Sequence, residues 1–130
     1  MVLDTSAYSA LAQGVETIAD VISGVPELSL PLPVIAELRY GFLKGSRPDH
    51  NERMLQKFLA QPQIRVLVPT MKTTDVYAEL QLHCTKRGKA LAHNDIWIAA
   101  LAYEADDMLV TFDKDFAALT EILGDKLLLL

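Results

Sequence analysis

Four acidic residues stand where a carboxylate is hard to explain by folding alone. Asp4 and Asp113 each follow a short apolar run that predicts a buried strand. Glu37 and Asp95 lie inside apolar stretches of helical periodicity, where a solitary carboxylate is strongly destabilising unless it has a partner. If the fold brings the four together, the expected partner is a hard divalent cation bound through oxygen, Mg²⁺ or Mn²⁺. Such a site predicts a metal-dependent phosphodiesterase.

Each carboxylate also has a purely structural explanation. Asp4 and Asp95 are each followed by a predicted helix that they would cap, and Asp113 would occupy a turn. Glu37 would form a buried salt bridge with a distant lysine. Asp115 is a second candidate for the fourth ligand, its alternative being an exposed acid at a helix start. One metal site explains all four positions together, whereas the structural explanations need four independent coincidences.

Two hydroxyl side chains stand close to these acids in the sequence. Ser6 and Thr111 lie beside Asp4 and Asp113, where each would orient a carboxylate or a metal-bound water. The alternative for both is ordinary hydrogen bonding at a helix start or a strand end. His93 is a lone histidine without a positioned partner and is interpreted as a surface or helix-start residue.

The composition restricts the class of protein. A chain of 130 residues fits one domain, residues 1–130, with a substantial core. Its 51% hydrophobic and 22% charged residues are typical of a globular protein, and no apolar run is long enough to span a bilayer. Cys84 is the only cysteine, which excludes an internal disulfide and a zinc site of Cys/His spacing. Since no secretory signal pattern is visible, we expect a reducing cytoplasm.

The net charge of −5 argues against a protein that coats nucleic acid with a basic surface. It does not argue against a nuclease, because acidic metal ligands add to the negative count and a bound cation reverses it locally. Basic residues cluster after Glu37 and again just before Asp95. The alternative for both clusters is a solvated helix end. The candidate RNA contacts are Arg39, Lys86 and Arg87.

The periodicity predicts strands and helices in alternation. Strands are expected at residues 1–4, 27–30, 64–68, 108–111 and 126–129, and helices at residues 5–13, 15–22, 33–43, 50–60, 70–86, 94–103 and 116–123. Such alternation predicts an α/β fold with a parallel sheet and helices on both faces. Ligand sites in these sheets lie at the carboxyl ends of the strands. Asp4 and Asp113 both stand there, so they would share one crevice if their strands are neighbours.

Four segments carry a family resemblance: V-L-D-T-S-A, I-A-E-L-R-Y-G, N-D-I-W-I-A-A-L-A and L-V-T-F-D-K-D-F. Together they resemble the motifs of PIN-domain proteins of the VapC type, the ribonuclease toxins of prokaryotic VapBC toxin–antitoxin pairs, over essentially the whole chain. The resemblance implies a single PIN-like domain and a homodimer that cleaves RNA such as tRNA or rRNA. It also implies a VapB-like antitoxin whose C-terminal segment blocks the site. The residues it implies as metal-binding and catalytic are Asp4, Glu37, Asp95 and Asp113. Asp115 is the alternative for the fourth ligand and is otherwise expected, like Ser6 and Thr111, to support the ligands.

A patch for the twofold dimer is expected on the helix at 50–60, where Met54, Leu55, Phe58 and Leu59 recur at helical spacing. The alternative is that these residues pack only on their own core.

The mechanism expected from these residues is hydrolysis by a metal-activated water, without a covalent intermediate, giving 5′-phosphate and 3′-hydroxyl ends. One alternative is a PIN-domain nuclease that acts in RNA processing or on DNA rather than as a toxin. Another is a phosphoacceptor receiver domain with an acidic Mg²⁺ pocket. A receiver should carry its acids at strand ends and a lysine after the last strand, but here two acids fall in helices and the chain ends in Leu127 to Leu130. A pure binding module would not need four carboxylates around one point.

Overall fold

Five short strands form one parallel sheet in the computed structural model, which describes residues 1–130. They are β1 (Val2–Leu3), β2 (Leu28–Pro31), β3 (Ile64–Leu67), β4 (Leu109–Thr111) and β5 (Leu127–Leu129). Their order across the sheet is β3-β2-β1-β4-β5. The central strands are apolar and buried, as expected for a parallel sheet covered on both faces. The predicted fold class is confirmed.

Seven α-helices connect and cover the strands. They are α1 (Thr5–Ala12), α2 (Glu16–Ile22), α3 (Leu32–Lys44), α4 (Pro48–Leu59), α5 (Met71–Lys86), α6 (His93–Glu104) and α7 (Thr120–Leu123). The predicted bounds agree with these within a few residues, except that the single helix expected at 116–123 is a 3₁₀ helix, Lys114–Leu119, followed by the short α7. The Asp113 side chain accepts the backbone N–H of Asp115, and this tight cap starts the chain in 3₁₀ geometry. No helix combines the length and apolarity needed to cross a membrane.

The strand register decides where the site lies. β1 pairs with β4 in parallel, with Val2 opposite Leu109 and Leu3 opposite Val110. Asp4, which directly follows β1, and Thr111, the last residue of β4, therefore meet at the carboxyl edge of the sheet. This confirms that the strands carrying Asp4 and Asp113 are neighbours.

Helix α6 is the most deeply buried helix of the fold. Six of its residues are buried, among them Ala99, Ala100 and Ala102, whose small side chains let the helix approach the sheet closely. It packs extensively on α5 and also contacts α3. The first turn of α6 contacts α3 through Asn94 and Glu37.

The dimer patch expected on α4 is wrong for one of its four residues. Leu55 is fully buried, and the half-buried Phe58 packs edge to face on Tyr8 with ring centroids 5.2 Å apart. Leu59 is also half-buried, and Met54 is 42% exposed. Met54 and Phe58 line an apolar cleft at the surface, so a smaller patch stays a prediction. The apolar stripe of this amphipathic helix faces its own domain because α4 packs on α3 and β3.

Candidate active site

Asp4 is a buried carboxylate with three hydrogen-bond donors. It follows β1 and is only 3% exposed. Its Oδ1 accepts the backbone N–H of Ala7 at 2.8 Å, which makes Asp4 the N-cap of α1. Ser6 Oγ donates to Oδ1 at 2.7 Å, and Thr111 Oγ1 donates to Oδ2 at 2.6 Å. Asp4 therefore caps α1 and can also be one of the acids of the site, since the two roles are compatible. Its carboxylate is fixed in one orientation.

The two hydroxyls are themselves held by the backbone after β4. Ser6 Oγ accepts the N–H of Phe112 at 2.9 Å, and Thr111 Oγ1 accepts the N–H of Asp113 at 2.9 Å. A hydroxyl has one proton to donate, and each of these hydroxyls already accepts a backbone N–H. Both protons are therefore directed toward Asp4. The structure places Ser6 and Thr111 where they orient this carboxylate.

Glu37 lies half-buried on α3 and is oriented by an amide. Asn94 Nδ2 donates to Glu37 Oε1 at 2.8 Å and lies 3.4 Å from the carbonyl oxygen of Pro33. No lysine or arginine forms a salt bridge with Glu37, so the buried ion pair offered as its alternative explanation is wrong. Sequence analysis missed Asn94. Its signal was its position directly before Asp95 in the same motif.

Asp95 is the third residue of α6 rather than its cap, which is Ala92. The capping explanation of Asp95 is therefore wrong, and its carboxylate is free to face the other acids. The pKa of Asp95 is raised to about 6. The largest cause is burial, and the next are repulsions from four nearby carboxylates, in decreasing order Glu37, Asp113, Asp4 and Asp115.

Four acids, Asp4, Glu37, Asp95 and Asp113, form a carboxylate cluster. This cluster carries negative charge without a compensating cation. Burial raises the pKa of Asp4; the hydrogen bonds from Thr111, Ala7 and Ser6 partly offset this, and repulsion from Asp113 adds to it. No basic side chain contributes to the pKa shift of either Asp4 or Asp95. As the side chains stand, no group of three or more Asp, Glu, His or Cys residues is close enough to hold one metal ion. The acids therefore converge within electrostatic range, and sharing an ion would require side chains to turn toward one another.

Asp113 and Asp115 differ in their distance from this cluster. Asp113 is half-buried, and Asp115 is exposed. Asp113 raises the pKa of both Asp4 and Asp95, whereas Asp115 raises only that of Asp95 and by the smallest amount. The geometry favours Asp113 over Asp115 as the fourth acid of the site.

The candidate RNA contacts lie outside the carboxylate cluster. Arg39 binds Glu52 through two nitrogens, with Nη2 at 2.8 Å and Nε at 3.0 Å from Oε1, and this holds the pKa of Glu52 below its usual value. Arg87 pairs with Glu121 of α7. Lys86 is exposed and has no ion pair. Helix α5 also packs on the 3₁₀ helix that follows β4.

The four carboxylates do not line the main clefts of the molecule. The largest cleft, of about 470 Å³, includes Tyr103, Asp107 and Lys126. These residues precede β4 and β5, so that cleft lies at the opposite edge of the sheet. A ligand of the carboxylates would therefore bind across a surface.

The hydrogen bond from Thr111 to Asp4 predicts a pH-dependent change in stability. We expect Thr111→Val to lower the free energy of unfolding by about 1–3 kcal/mol near neutral pH, because an ionised buried acceptor loses its donor. The variant leaves the pKa of Asp4 still higher than in the wild type, so the loss should shrink as acid protonates Asp4. Urea unfolding at about pH 8 and about pH 4 measures both effects. Thr17→Val, at an exposed site of α2, is the control; an equal loss at both pH values would contradict this account.

Comparison with known proteins gives the family. The PIN domain matches residues 1–122. Ribonuclease VapC5 of Mycobacterium tuberculosis is 30% identical over 118 residues, which cover 91% of this chain and 86% of the relative. The chain therefore belongs to the PIN-domain family, and within it to the VapC proteins.

Solved structures agree with this assignment. A member of the VapBC family of toxin–antitoxin systems, VapBC-5 from Mycobacterium tuberculosis, superposes with a TM-score of 0.70 at 28% identity, over 99% of this chain and 95% of that chain. VapBC2 from Rickettsia felis, solved bound to a DNA fragment from the promoter, superposes with a TM-score of 0.81 at 23% identity, over 99% of this chain and 96% of that chain. At 23% identity, the match to VapBC2 shows a shared fold only. The alternative of a phosphoacceptor receiver domain is therefore wrong.

Proposed function

We propose that this chain is a Mg²⁺- or Mn²⁺-dependent endoribonuclease and the toxin of a type II toxin–antitoxin pair. The observation that carries the proposal is the convergence of Asp4, Glu37, Asp95 and Asp113 without a compensating cation, at a site where the pKa of Asp95 is raised to about 6. Perturbed acids clustered at one edge of a sheet are typical of an active site. The name of the relative VapC5, a ribonuclease, supports RNA as the substrate. The VapBC complexes support a VapB-like antitoxin as the partner.

The residues fit a hard divalent cation in donor type and in charge. Every candidate ligand is a carboxylate oxygen, the donor that Mg²⁺ and Mn²⁺ prefer. Binding would also relieve the repulsion that raises the pKa of Asp95. When bound, the ion supplies positive charge that attracts the scissile phosphate and acidifies water. The residues that would hold it are Asp4, Glu37, Asp95 and Asp113, with Asp115 at the margin.

The neighbouring polar groups would keep the ligands in place during the reaction. Ser6 and Thr111 fix Asp4 from two sides, and Asn94 fixes one oxygen of Glu37. Ligands held in this way keep their orientation while substrate binds, as outer hydrogen-bond partners do in metal sites generally.

The substrate and the partner that we expect are those that complement the charge of the site. An acidic site of this kind suits a polymer whose phosphates reach the carboxylates while Lys86 contacts the backbone. Arg87 would join Lys86 only if its pair with Glu121 opens. Arg39 would join them only if its pair with Glu52 opens. An antitoxin segment carrying an arginine or lysine would compete for the same acids. Homodimer formation and a cytoplasmic location stay predictions.

Cleavage assays test the proposal directly. Purified protein, free of antitoxin, is expected to cut single-stranded RNA with Mg²⁺ or Mn²⁺, to leave 5′-phosphate ends and to lose all activity in EDTA. Asp4→Asn and Glu37→Gln should each lower kcat/KM by at least about 100-fold, because each removes a charge that holds the ion. Asp113→Asn should cost more activity than Asp115→Asn.

The control is Asp125→Asn, an exposed acid before β5 at the opposite edge of the sheet. Cutting that persists in EDTA would reject the mechanism. Equal cutting of DNA, or expression without growth arrest, would favour the alternative of a processing nuclease over a toxin.

A further inference from the structure

A second cleft opens beside the first turn of α6. Its volume is about 390 Å³, within the range of small-ligand sites. It lies between the end of α5 and the turn that leads into α6, and its walls include Gln81, Lys89, Leu91 and His93. His93 stands two residues before Asp95, about 3 Å along the helix axis. The cleft and the carboxylate cluster therefore flank the same helix turn.

His93 is an exposed ring held in one orientation. Its Nδ1 lies 2.7 Å from the hydroxyl oxygen of Tyr77. The Tyr77 ring in turn packs against Trp97, with centroids 4.5 Å apart and planes tilted by 31°. The interpretation of His93 as a surface residue at a helix start is confirmed, because it is exposed and is the first residue of α6. It does have a positioned partner, Tyr77, which the sequence did not predict. Burial in the core does not explain this arrangement, because His93 is exposed, and fixing an exposed side chain costs conformational entropy.

The other walls of the cleft offer a cation and an amide. Lys89 is exposed and makes no ion pair, and the pair between Arg87 and Glu121 ties this turn to α7. Gln81 Oε1 is buried without a hydrogen-bond partner. Gly88, at φ +64°, permits the tight turn that carries Lys89 over the cleft. A cation, a planar ring and an amide short of a partner are together the groups that recognise a nucleotide.

We propose that this cleft binds one nucleotide of the RNA next to the scissile phosphate. The base stacks on the His93 ring, Lys89 contacts a phosphate, and Gln81 meets a donor on the base edge when its side chain turns into the cleft. Tyr77 is a positioning residue, since it acts by holding His93. The inference rests on the proposed ribonuclease function and adds a specificity site to it.

The test combines protein variants with RNA that lacks a single base. Steady-state cleavage is measured on a single-stranded oligonucleotide and on copies with one abasic residue at successive positions around the cut. For the wild type, one abasic position is expected to raise KM about 10-fold, the effect of losing one stacked base. His93→Ala should raise KM of the intact RNA by a similar factor with kcat nearly unchanged, and should make that abasic position harmless.

Two further variants distinguish the contribution of the His93 ring face from the contributions of its nitrogen and of the Tyr77 hydroxyl that holds it. His93→Phe, which keeps a stacking face, should retain most of the affinity, and Tyr77→Phe should raise KM by less than His93→Ala. His50→Ala, at an exposed histidine of α4, is the matched control and should leave KM unchanged. Thermal melting shows that each variant is folded.

If the increases in KM caused by His93→Ala and by the abasic residue are additive, the proposed nucleotide site is wrong. A fall in kcat with KM unchanged would also do so, since it would place His93 in the support of Asp95. Weaker antitoxin binding by His93→Ala with unchanged KM would assign the cleft to the protein partner instead. Failure of the wild type to cut any RNA would overturn the proposed function itself, which distinguishes the two outcomes.

Discussion

Asp95→Asn is expected to lower kcat/KM for RNA by at least about 100-fold and also to make the metal-free protein more stable. The pKa of Asp95 is raised to about 6 in the folded protein from 3.8, so its ionisation opposes folding. The full shift corresponds to about 3 kcal/mol, and solvent screening at this half-buried site reduces the expected gain to about 1–2 kcal/mol. A catalytic group whose removal stabilises the fold is a mark of a site built for function.

The size of this stability gain depends on pH. A carboxyl group with a raised folded pKa binds its proton more tightly in the native state, so the wild type loses stability as pH rises from about 4 to about 6. Asp95→Asn lacks this loss, and its advantage should be full at about pH 8 and absent below about pH 4. Urea unfolding in EDTA at both pH values, with Asp125→Asn as the control, measures the difference. A variant less stable than the wild type at the higher pH would contradict the proposed repulsion.

Millimolar Mg²⁺ or Mn²⁺ is expected to raise the melting temperature of the wild type. At a concentration ten times the dissociation constant the gain is about 1.4 kcal/mol, which is about 4 °C for a domain of this size. Asp4→Asn should lose the shift, because Asp4 is the most deeply buried acid of the cluster. Since protons compete with the cation for Asp95, the shift should be smaller at about pH 5 than at about pH 8.

Differential scanning fluorimetry with and without metal checks this expectation, and Asp125→Asn, which should keep the full shift, is again the control. An unchanged melting temperature in the wild type would count against a metal site. An equal shift in Asp4→Asn would show that the cations bind elsewhere on the acidic surface.

Periodicity and motifs in the sequence were enough to predict the secondary-structure elements and the kinds of residue that form the site. Apolar periodicity located the five strands and most helix bounds, because burial of one face is encoded in neighbouring residues. It also placed Asp4 and Asp113 after strands and Glu37 and Asp95 on helices, which was enough to predict a shared acidic site. The family motifs pointed to the PIN fold that the comparisons show.

The groups that hold the acids in place could not be predicted from the sequence and became visible in the folded chain. Thr111 donates to Asp4 across 107 positions, and Asn94 donates to Glu37 across 57. Such pairs depend on strand order and helix packing, which local periodicity does not encode. The same limit applies to the contact of Tyr77 with His93. Local sequence specifies which face of an element is buried, whereas the residue that meets it is specified by the whole chain.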